Sequence, residues 1–293
     1  MSASSNQPVN NNTSSDTHTE SQNYRVMIES LAATKTWLFV PATRIDRVAK
    51  AFASGADAVI VDLEDAVAQV DKAQARVALK AYYDAEHDAK SYRPIWLRIN
   101  QASSAEFVKD LALCQQLPKL AGVLLAKAEQ PADIERVYQE TGLPVIALIE
   151  NAMGLYRIED MAKASGLLAF SYGFLDLCND LQVQVGTASA DIIANQIRYQ
   201  LILTSKVHQL LAPIDSVYAD FLTIMKGCII VCNYGRRWAC PACFVFILSK
   251  LTSSSSHCNQ RLVSLNLRSA WSQNMSAVGR QSLKLMAIWL MRR

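Results

Sequence analysis

The feature of this sequence that most constrains its fold is a regular alternation of short apolar runs and longer helical stretches. The runs are nearly continuous in apolar character and rich in Val, Ile and Leu, which is typical of strands buried on both faces. Seven runs occur, the last being the weakest: Trp37–Ala42, Ala58–Leu63, Pro94–Ile99, Gly122–Lys127, Pro144–Ile149, Leu167–Tyr172 and Ser216–Asp220. Strand-then-helix repetition predicts right-handed βαβ units and therefore a parallel sheet.

The segments between the runs carry helical patterns: Arg44–Ser54, Lys72–Ala85, Ser104–Leu117, Pro131–Thr141, Leu155–Ala164 and Ile192–Ala212. Seven strands at this spacing favour an α/β fold closed into a (β/α)8, or TIM-type, barrel. Periodicity alone leaves an open parallel sheet as the alternative. The 293 residues suffice for one such barrel, which takes about 250 residues.

Composition divides the chain into three regions. Residues 1–33 are rich in Asn, Ser, Thr and Gln and contain no apolar run, so we expect a disordered polar N-terminus. Residues 34–221 form the predicted catalytic barrel. Residues 222–293, here called the tail, contain ten Lys and Arg, no Asp or Glu, and five of the seven cysteines. Ordinary globular sequence mixes both signs of charge, so the tail is aberrant.

No segment has the pattern of a targeting or membrane-spanning sequence. Asp16 and Glu20 argue against an N-terminal transit peptide, and no apolar h-region is present for secretion. No run reaches the about 18 consecutive apolar residues that suggest a membrane span. We therefore expect a cytoplasmic protein with reduced thiols and no membrane partner.

Polar residues follow the predicted strands at their carboxyl ends, where barrel enzymes build their active sites. They are Asp62, Glu64 and Asp65, then Arg98 and Asn100, Lys127, Glu150 and Asn151, and finally Asp176. A single carboxylate at a strand end is often a helix cap or a surface charge, but several converging on one face indicate a site. Carboxylate oxygens with open water positions suit Mg²⁺, and a neighbouring Arg suits a substrate carboxylate.

Five sequence blocks follow one another in the predicted barrel: Leu38–Pro41 with Arg47 and Lys50, Asp62–Val67 with Lys72 and Arg76, Leu97–Asn100, Ile149–Gly154, and Tyr172–Asp176. In order and spacing they resemble the citrate lyase β-subunit/malyl-CoA lyase family of the HpcH/HpaI aldolase/citrate lyase superfamily. The resemblance implies that Glu150 and Asp176 ligate Mg²⁺ and that Arg98 and Glu150 are catalytic and contact the substrate. It also implies that Arg47, Lys50, Asp62 and Glu64 line or support the substrate pocket.

The resemblance further implies a carbon–carbon lyase that cleaves or forms malyl-, citramalyl- or citryl-CoA-type thioesters, works as a homotrimer, and yields an acyl-CoA and a 2-keto acid. Mg²⁺ would polarise the carbonyl of the keto acid, and Arg98 would hold the developing negative charge. Two departures, Ala42 for the usual Gly and Ala126 for the usual Pro, lie beside the expected pocket. A late family loop with an Asp has no counterpart here, so the general base is unassigned.

The tail departs from the family in a way that a shifted reading frame explains. When each codon starts at the third base of the written one, Trp238-Ala239 forces Gly, and Arg237–Leu248 permits Met-Gly-Leu-Pro-Gly-Met-Leu-Cys-Ile-His-Pro. The same offset lets Lys284–Arg293 be read as Val-Asp-Gly-His-Met-Val-Asp-Ala-Pro. The family should continue with these two motifs, at its eighth strand and a later loop. We infer a one-base deletion or equivalent shift near Phe221, natural or a sequencing error.

Two other interpretations are open. The first is an inactive, truncated remnant that still binds metal, because losing the eighth strand leaves the first and seventh strands with unpaired edges and a product prone to aggregate. Cys243–Leu248 is the available surrogate strand, with no fixed register. The second is a zinc module in which Cys228, Cys232, Cys240 and Cys243 have zinc-like spacing. The shifted frame explains these cysteines without zinc, and the basic tail predicts only nonspecific nucleic-acid contact.

Overall fold

The computed structural model describes Leu31, Thr34, residues 36–89 and 91–216, and the backbone of residues 242–246. The chain divides into two compact units, residues 1–34 and 35–293. In the first unit, Thr34 N donates a hydrogen bond of 3.0 Å to Leu31 O. The predicted disorder of residues 1–33 and most of the tail lie outside the described residues. The second unit contains the barrel.

Eight parallel strands close into a barrel in their sequence order. They are β1 (Thr36–Pro41), β2 (Ala58–Asp62), β3 (Trp96–Ile99), β4 (Gly122–Leu125), β5 (Val145–Ile149), β6 (Leu167–Tyr172), β7 (Ile214–Asp215) and β8 (Ala242–Phe246). Each strand pairs with the next, and β8 returns to pair with β1. The predicted TIM-type fold is confirmed, and the open sheet is excluded.

The strand predictions hold for the first six strands, whose ends lie within two residues of the predicted ones. The start of the seventh strand differs from the predicted Ser216–Asp220, because β7 is Ile214–Asp215 and ends before Ser216. The rest of that prediction, residues 217–220, lies outside the described part of the chain. The apolar pattern misled because the charged Asp215 interrupts it. In the structure Asp215 is fully buried and paired with Arg198.

The expected gap between the first and seventh strands is also corrected, because β8 of the tail fills it. Residues Thr36–Phe39 stand opposite Cys243–Phe246, and Ile214–Asp215 stand opposite Ala242–Cys243. This pairing gives partners to backbone N–H and C=O groups that an open edge would leave exposed. The surrogate strand proposed from the sequence, Cys243–Leu248, therefore forms a strand as far as Phe246. Its register is set by pairing with both β1 and β7.

The strands are buried on both faces, which explains why their sequences read as continuous apolar runs. Leu38 and Val40 of β1 belong to one buried cluster with the helix residue Leu79. Trp37 and Phe39 alternate with these residues and point to the opposite face, since side chains alternate along a strand. On that face Trp37 packs edge-on against Trp96 of β3, with ring centroids 5.4 Å apart.

The described helices of the second unit are α1 (Val48–Ala53), α2 (Lys72–Glu86), α3 (Phe107–Cys114), α4 (Pro131–Thr141), α5 (Ala152–Tyr156), α6 (Ile158–Met161), α7 (Phe174–Asp180) and α8 (Ala188–Val207), with 3₁₀ turns at Ala42–Arg47 and Gln69–Asp71. The prediction for α4 is confirmed at both ends. Proline opens it, and Gly142 ends it in the left-handed conformation with φ of 68°.

Two helix predictions need correction, and one helix was not predicted. The predicted helix Leu155–Ala164 is two short helices, α5 and α6, and α7 was not predicted. The predicted Ile192–Ala212 begins earlier, at Ala188, because the Thr187 hydroxyl accepts a hydrogen bond from Ala190 N and caps the helix. No helix in the described part of the chain is long and apolar enough to cross a membrane.

Candidate active site

Asp62 and Arg98 form a buried ion pair at the carboxyl ends of β2 and β3, where they stand opposite each other in the register. Arg98 donates from Nε to Asp62 Oδ1 (2.7 Å) and from Nη2 to Asp62 Oδ2 (2.7 Å). This bidentate contact fixes the guanidinium plane. The oxygens of Asp62 also accept hydrogen bonds from the backbone N–H of Glu64 (2.9 Å) and Ala66 (3.2 Å). Asp62 therefore both orients Arg98 and shapes the loop after β2.

Glu64 and Lys127 extend this ion pair across the mouth of the barrel. Glu64 Oε2 lies 3.1 Å from Arg98 Nη1, and Glu64 Oε1 pairs with Lys127 Nζ. Lys127 follows β4 with φ of 47°, a left-handed conformation that is uncommon for residues other than glycine. Burial acts to lower the pKa of Lys127, but the negative charges of Glu64 and Glu150 raise it by more than burial lowers it. The pKa of Lys127 therefore lies above its usual value. Lys127 is thus a fixed positive charge.

Glu150 directly follows β5 and is only 3% exposed. Its Oε1 lies 3.8 Å from Arg98 Nη1, and its Oε2 lies 3.9 Å from Lys127 Nζ. Oε2 has no hydrogen-bond partner among the described residues. Burial raises the pKa of the Glu150 carboxyl to about 8, against the opposing charge of Arg98. A buried carboxylate oxygen without a partner is costly unless something binds it.

Asp176 lies in the first turn of α7 and interacts electrostatically with Glu150. Its negative charge raises the pKa of Glu150, and burial raises the pKa of Asp176 itself. Gly173, just before α7, brings the two segments together. Its N–H donates to Ile149 O (2.9 Å), and a Cβ added at Gly173 would lie 2.8 Å from both Cγ and Oε1 of Glu150. Residue 173 can therefore carry no side chain without displacing Glu150.

Negative charge predominates at this mouth. Its interacting side chains are the carboxylates of Asp62, Glu64, Asp65, Glu150 and Asp176 and the cations of Arg98 and Lys127. With all of them ionised the net charge is minus three, which a bound divalent cation would largely offset. No group of three or more His, Cys, Asp or Glu able to hold a metal ion is present within the described residues. Mg²⁺ needs no such group, because one or two carboxylates and several waters commonly bind it. The Glu150 oxygen that has no hydrogen-bond partner among the described residues, on which the charge of Asp176 acts, fits such a site.

A layer of buried polar contacts supports the loop after β2. Lys72 of α2 donates from Nζ to Leu63 O (2.7 Å), Glu64 O (2.8 Å) and Asn100 Oδ1 (2.8 Å). Asn100 donates in turn to Asp110 Oδ2 from its backbone N (2.9 Å) and from Nδ2 (2.7 Å). These contacts hold the backbone of Glu64, whose carboxylate pairs with Arg98 and Lys127.

The structure brings together five of the seven site residues named from the sequence: Asp62, Glu64, Arg98, Glu150 and Asp176. The other two lie after β1. Arg47 ends the first 3₁₀ turn, and Lys50 is exposed on α1. Within the described part of the chain, neither Arg47 nor Lys50 forms an ion pair with the carboxylates of the mouth. Their role in a substrate pocket stays a prediction.

Two residues of the mouth were given no role from the sequence. Lys127 was recognised as a polar strand end, but a lone lysine does not reveal its partners across the barrel. No local signal identifies Gly173 as essential. The requirement for glycine there comes from Glu150 on the neighbouring strand, a contact that only the tertiary structure creates.

A closed parallel barrel with a rigid guanidinium and converging carboxylates at the carboxyl end of its strands has the arrangement of a (β/α)8 enzyme. The sequence model of one such family, HpcH/HpaI aldolase/citrate lyase, matches residues 35–224. The chain belongs to this family of lyase- and aldolase-type enzymes.

Individual relatives agree with this assignment. The chain is 35% identical over 202 residues to the "Citrate lyase subunit beta-like protein" of Mycobacterium tuberculosis, a match that covers 66% of this chain and 67% of the relative. It is 29% identical over 201 residues to a "(3S)-malyl-CoA thioesterase" of Cereibacter sphaeroides, covering 68% of each. A structure of the M. tuberculosis citrate lyase beta subunit complexed with oxaloacetate and magnesium is similar with a TM-score of 0.64 and 29% identity, covering 75% of this chain and 94% of that one.

Proposed function

We propose that this chain is a Mg²⁺-dependent carbon–carbon lyase that cleaves, or in reverse forms, malyl-, citramalyl- or citryl-CoA-type thioesters. The products of cleavage are an acyl-CoA and a 2-keto acid. One observation carries the proposal. Glu150 is a buried carboxylate at a strand end with one oxygen unpartnered in the described structure, and the charge of Asp176 acts on it. Membership of the lyase and aldolase family supports the reaction type.

The metal would be held by Glu150 and Asp176, and when bound it supplies Lewis-acid polarisation of a substrate carbonyl. The side chains of the mouth bind and orient the substrate. Nε and Nη2 of Arg98 are committed to Asp62. Nη1 carries two N–H groups and lies 3.1 Å from Glu64 Oε2 and 3.8 Å from Glu150 Oε1, so we assign its N–H on the Glu150 side as the donor to the substrate. Because the ion pair fixes the guanidinium, little reorganisation accompanies the negative charge that develops on an enolate or carboxylate.

The tail supports a second candidate, a catalytically inactive remnant that keeps the metal site. The acidic residues stop before residue 222, and the family match ends at residue 224, close to the frame shift inferred near Phe221. In this case β8 replaces a family strand as a backbone element, and the two family motifs expected after Phe221 are absent from the sequence. Both candidates keep Glu150 and Asp176, so both predict Mg²⁺ binding, and they differ in turnover.

Resequencing the DNA across the codons for Asp220–Lys226 decides whether the shift is genuine. The chain as printed and a chain with the frame restored should then be incubated with malyl-, citramalyl- and citryl-CoA, with Mg²⁺ or with EDTA. We expect the restored chain to produce acyl-CoA and 2-keto acid in equal amounts only with Mg²⁺. If the shift is genuine, we expect the printed chain to bind Mg²⁺ in calorimetry without turnover.

Three outcomes of these assays discriminate further. Release of free CoA without a 2-keto acid would indicate thioester hydrolysis and contradict the carbon–carbon lyase. Turnover by the printed chain would exclude the inactive remnant. Failure of both chains to bind Mg²⁺ would overturn the assignment of Glu150 and Asp176 as metal ligands. A Glu150→Gln variant serves as the control, since it keeps the size of the side chain and removes its charge.

A further inference from the structure

The contact between β6 and β7 is the shortest in the barrel ladder, with the single registered pair Ser171–Ile214. Side chains supplement it. Ser171 Oγ donates to Ile214 O (2.9 Å), and the hydroxyl of Tyr172 donates to Asp215 Oδ1 (2.7 Å). One residue beyond β7, Ser216 Oγ accepts a hydrogen bond from Phe174 N (3.0 Å). These contacts, made one after another along both segments, are buried.

We call this set of contacts between residues 171–174 and residues 214–216 the seam. Asp215 lies at its centre. Its Oδ1 also accepts hydrogen bonds from Ser216 N (2.9 Å) and from Arg198 Nε (3.0 Å), and Arg198 of α8 lies 3.2 Å from its Oδ2. Asp215 is fully buried and Arg198 is 8% exposed. The pair is thus a desolvated ion pair whose carboxylate also accepts hydrogen bonds from Tyr172 and Ser216, the condition under which such a pair is tolerated.

The seam holds residues 172–174, the segment that leads into α7 at the mouth of the barrel. Tyr172 and Phe174, both bonded to the β7 side, flank Gly173, whose N–H is bonded to the β5 side at Ile149 O. The helix α7, which carries Asp176, starts at Phe174. The start of this helix is therefore held by two neighbours, one bearing Glu150 and the other bearing Asp215 and Ser216.

We propose that Asp215 and Ser216 are positioning residues that set the place of Asp176 relative to Glu150. Asp215 holds Tyr172 and the backbone of Ser216, and Ser216 holds Phe174 N. The hydroxyl thereby fixes the first residue of the turn on which Asp176 lies. This inference rests on the proposed function, in which Asp176 and Glu150 share the metal ion.

The seam offers a matched pair of variants for the test. Ser216→Ala removes the acceptor for Phe174 N, and Ser171→Ala removes the donor to Ile214 O. Both replace a buried serine, and both weaken the same strand contact, but only Ser216 bonds to α7. A purely structural role predicts the same behaviour from the two variants.

The readout is the Mg²⁺ dissociation constant of the full-length chain, measured by calorimetry beside its thermal unfolding. We expect Ser216→Ala to weaken Mg²⁺ binding on the order of tenfold, the lower end of what loss of a supporting contact around a metal site costs. Ser171→Ala should leave the affinity within about twofold while lowering the melting temperature comparably. Ser216→Thr, which keeps the hydroxyl, should recover most of the affinity.

Equal Mg²⁺ affinities for the two alanine variants would overturn the positioning role while leaving the proposed function intact. Absence of Mg²⁺ binding in the unmodified chain would instead count against the proposed function. In that event, crystal structures of the metal-free variants still test the inference. The separation of the Asp176 and Glu150 carboxylates must change in Ser216→Ala and not in Ser171→Ala, and an unchanged separation in both refutes it.

Discussion

Proton competition at Glu150 makes the Mg²⁺ affinity depend on pH close to neutrality. Burial raises the pKa of this carboxyl to about 8, and the neighbouring charge of Glu64 adds to the rise. A protonated carboxyl cannot act as an ionic ligand, so metal binding must release the proton. The direction follows from the sign of the shift: affinity grows as pH rises through 8 and falls below it, whereas an ordinary glutamate would show no change above pH 6.

The magnitude follows from the same pKa. With a pKa of about 8, about one tenth of the Glu150 carboxyls are ionised at pH 7 and about nine tenths at pH 9. The apparent dissociation constant for Mg²⁺ should therefore fall about tenfold between pH 7 and pH 9. Each Mg²⁺ bound should release about 0.9 proton at pH 7 and about 0.1 proton at pH 9.

Isothermal calorimetry at pH 7, 8 and 9, in buffers that differ in ionisation enthalpy, measures both quantities. A constant affinity over this range, without proton release at pH 7, would refute the reasoning. Glu64→Gln provides a control with a calculable sign. It removes a negative charge that raises the pKa of Glu150, so the midpoint of the pH dependence should move below 8 and proton release at pH 7 should decrease.

Three substitutions test other parts of the site. Gly173→Ala places a Cβ 2.8 Å from Glu150, closer than the roughly 3.5 Å of an ordinary carbon contact, and should weaken Mg²⁺ binding on the order of tenfold. Lys72→Met removes three buried hydrogen bonds of a charged donor, although Leu63 O and Glu64 O each keep one other donor, and should lower the free energy of unfolding by about 3 kcal/mol, measured in urea. Arg98→Lys cannot keep the bidentate carboxylate contact and should lower kcat of the frame-restored chain on the order of a hundredfold with little change in KM. Gly142→Ala, which is strained but in open space, is the control for the first substitution, and should lower stability by about 1 kcal/mol without altering Mg²⁺ affinity.

These substitutions have separate failure criteria. Equal Mg²⁺ affinities in the two glycine variants would contradict the close approach of residue 173 to Glu150. Urea stability unchanged in Lys72→Met would show that water replaces the ammonium group. For Arg98→Lys, a rise in KM with kcat unchanged would mean that the guanidinium binds the ground state and the transition state equally.

Much of the barrel could be read from the sequence because its strands are buried on both faces. Six apolar runs located β1 to β6 within two residues, and the residues at their carboxyl ends included the buried pair Asp62–Arg98. The seventh strand was misplaced because Asp215 is charged, and its neutralisation by Arg198 depends on a helix outside the strand pattern. The sequence offered Cys243–Leu248 as a surrogate for the eighth strand but not its register, because edge pairing depends on backbone groups that any β-prone segment can satisfy.

The sequence by itself determined the alternation of strands and helices, the order of the polar strand ends, and the family. These properties are local or repeat along the chain, so they survive without coordinates. Tertiary structure alone decided that Lys127 meets Glu64 across the mouth, that Glu150 keeps an oxygen without a hydrogen bond in the described structure, and that Gly173 must lack a side chain. Each of these depends on burial and on charges brought together from separate strands, and electrostatic free energy in a low-dielectric interior is set by distances that no sequence spacing records.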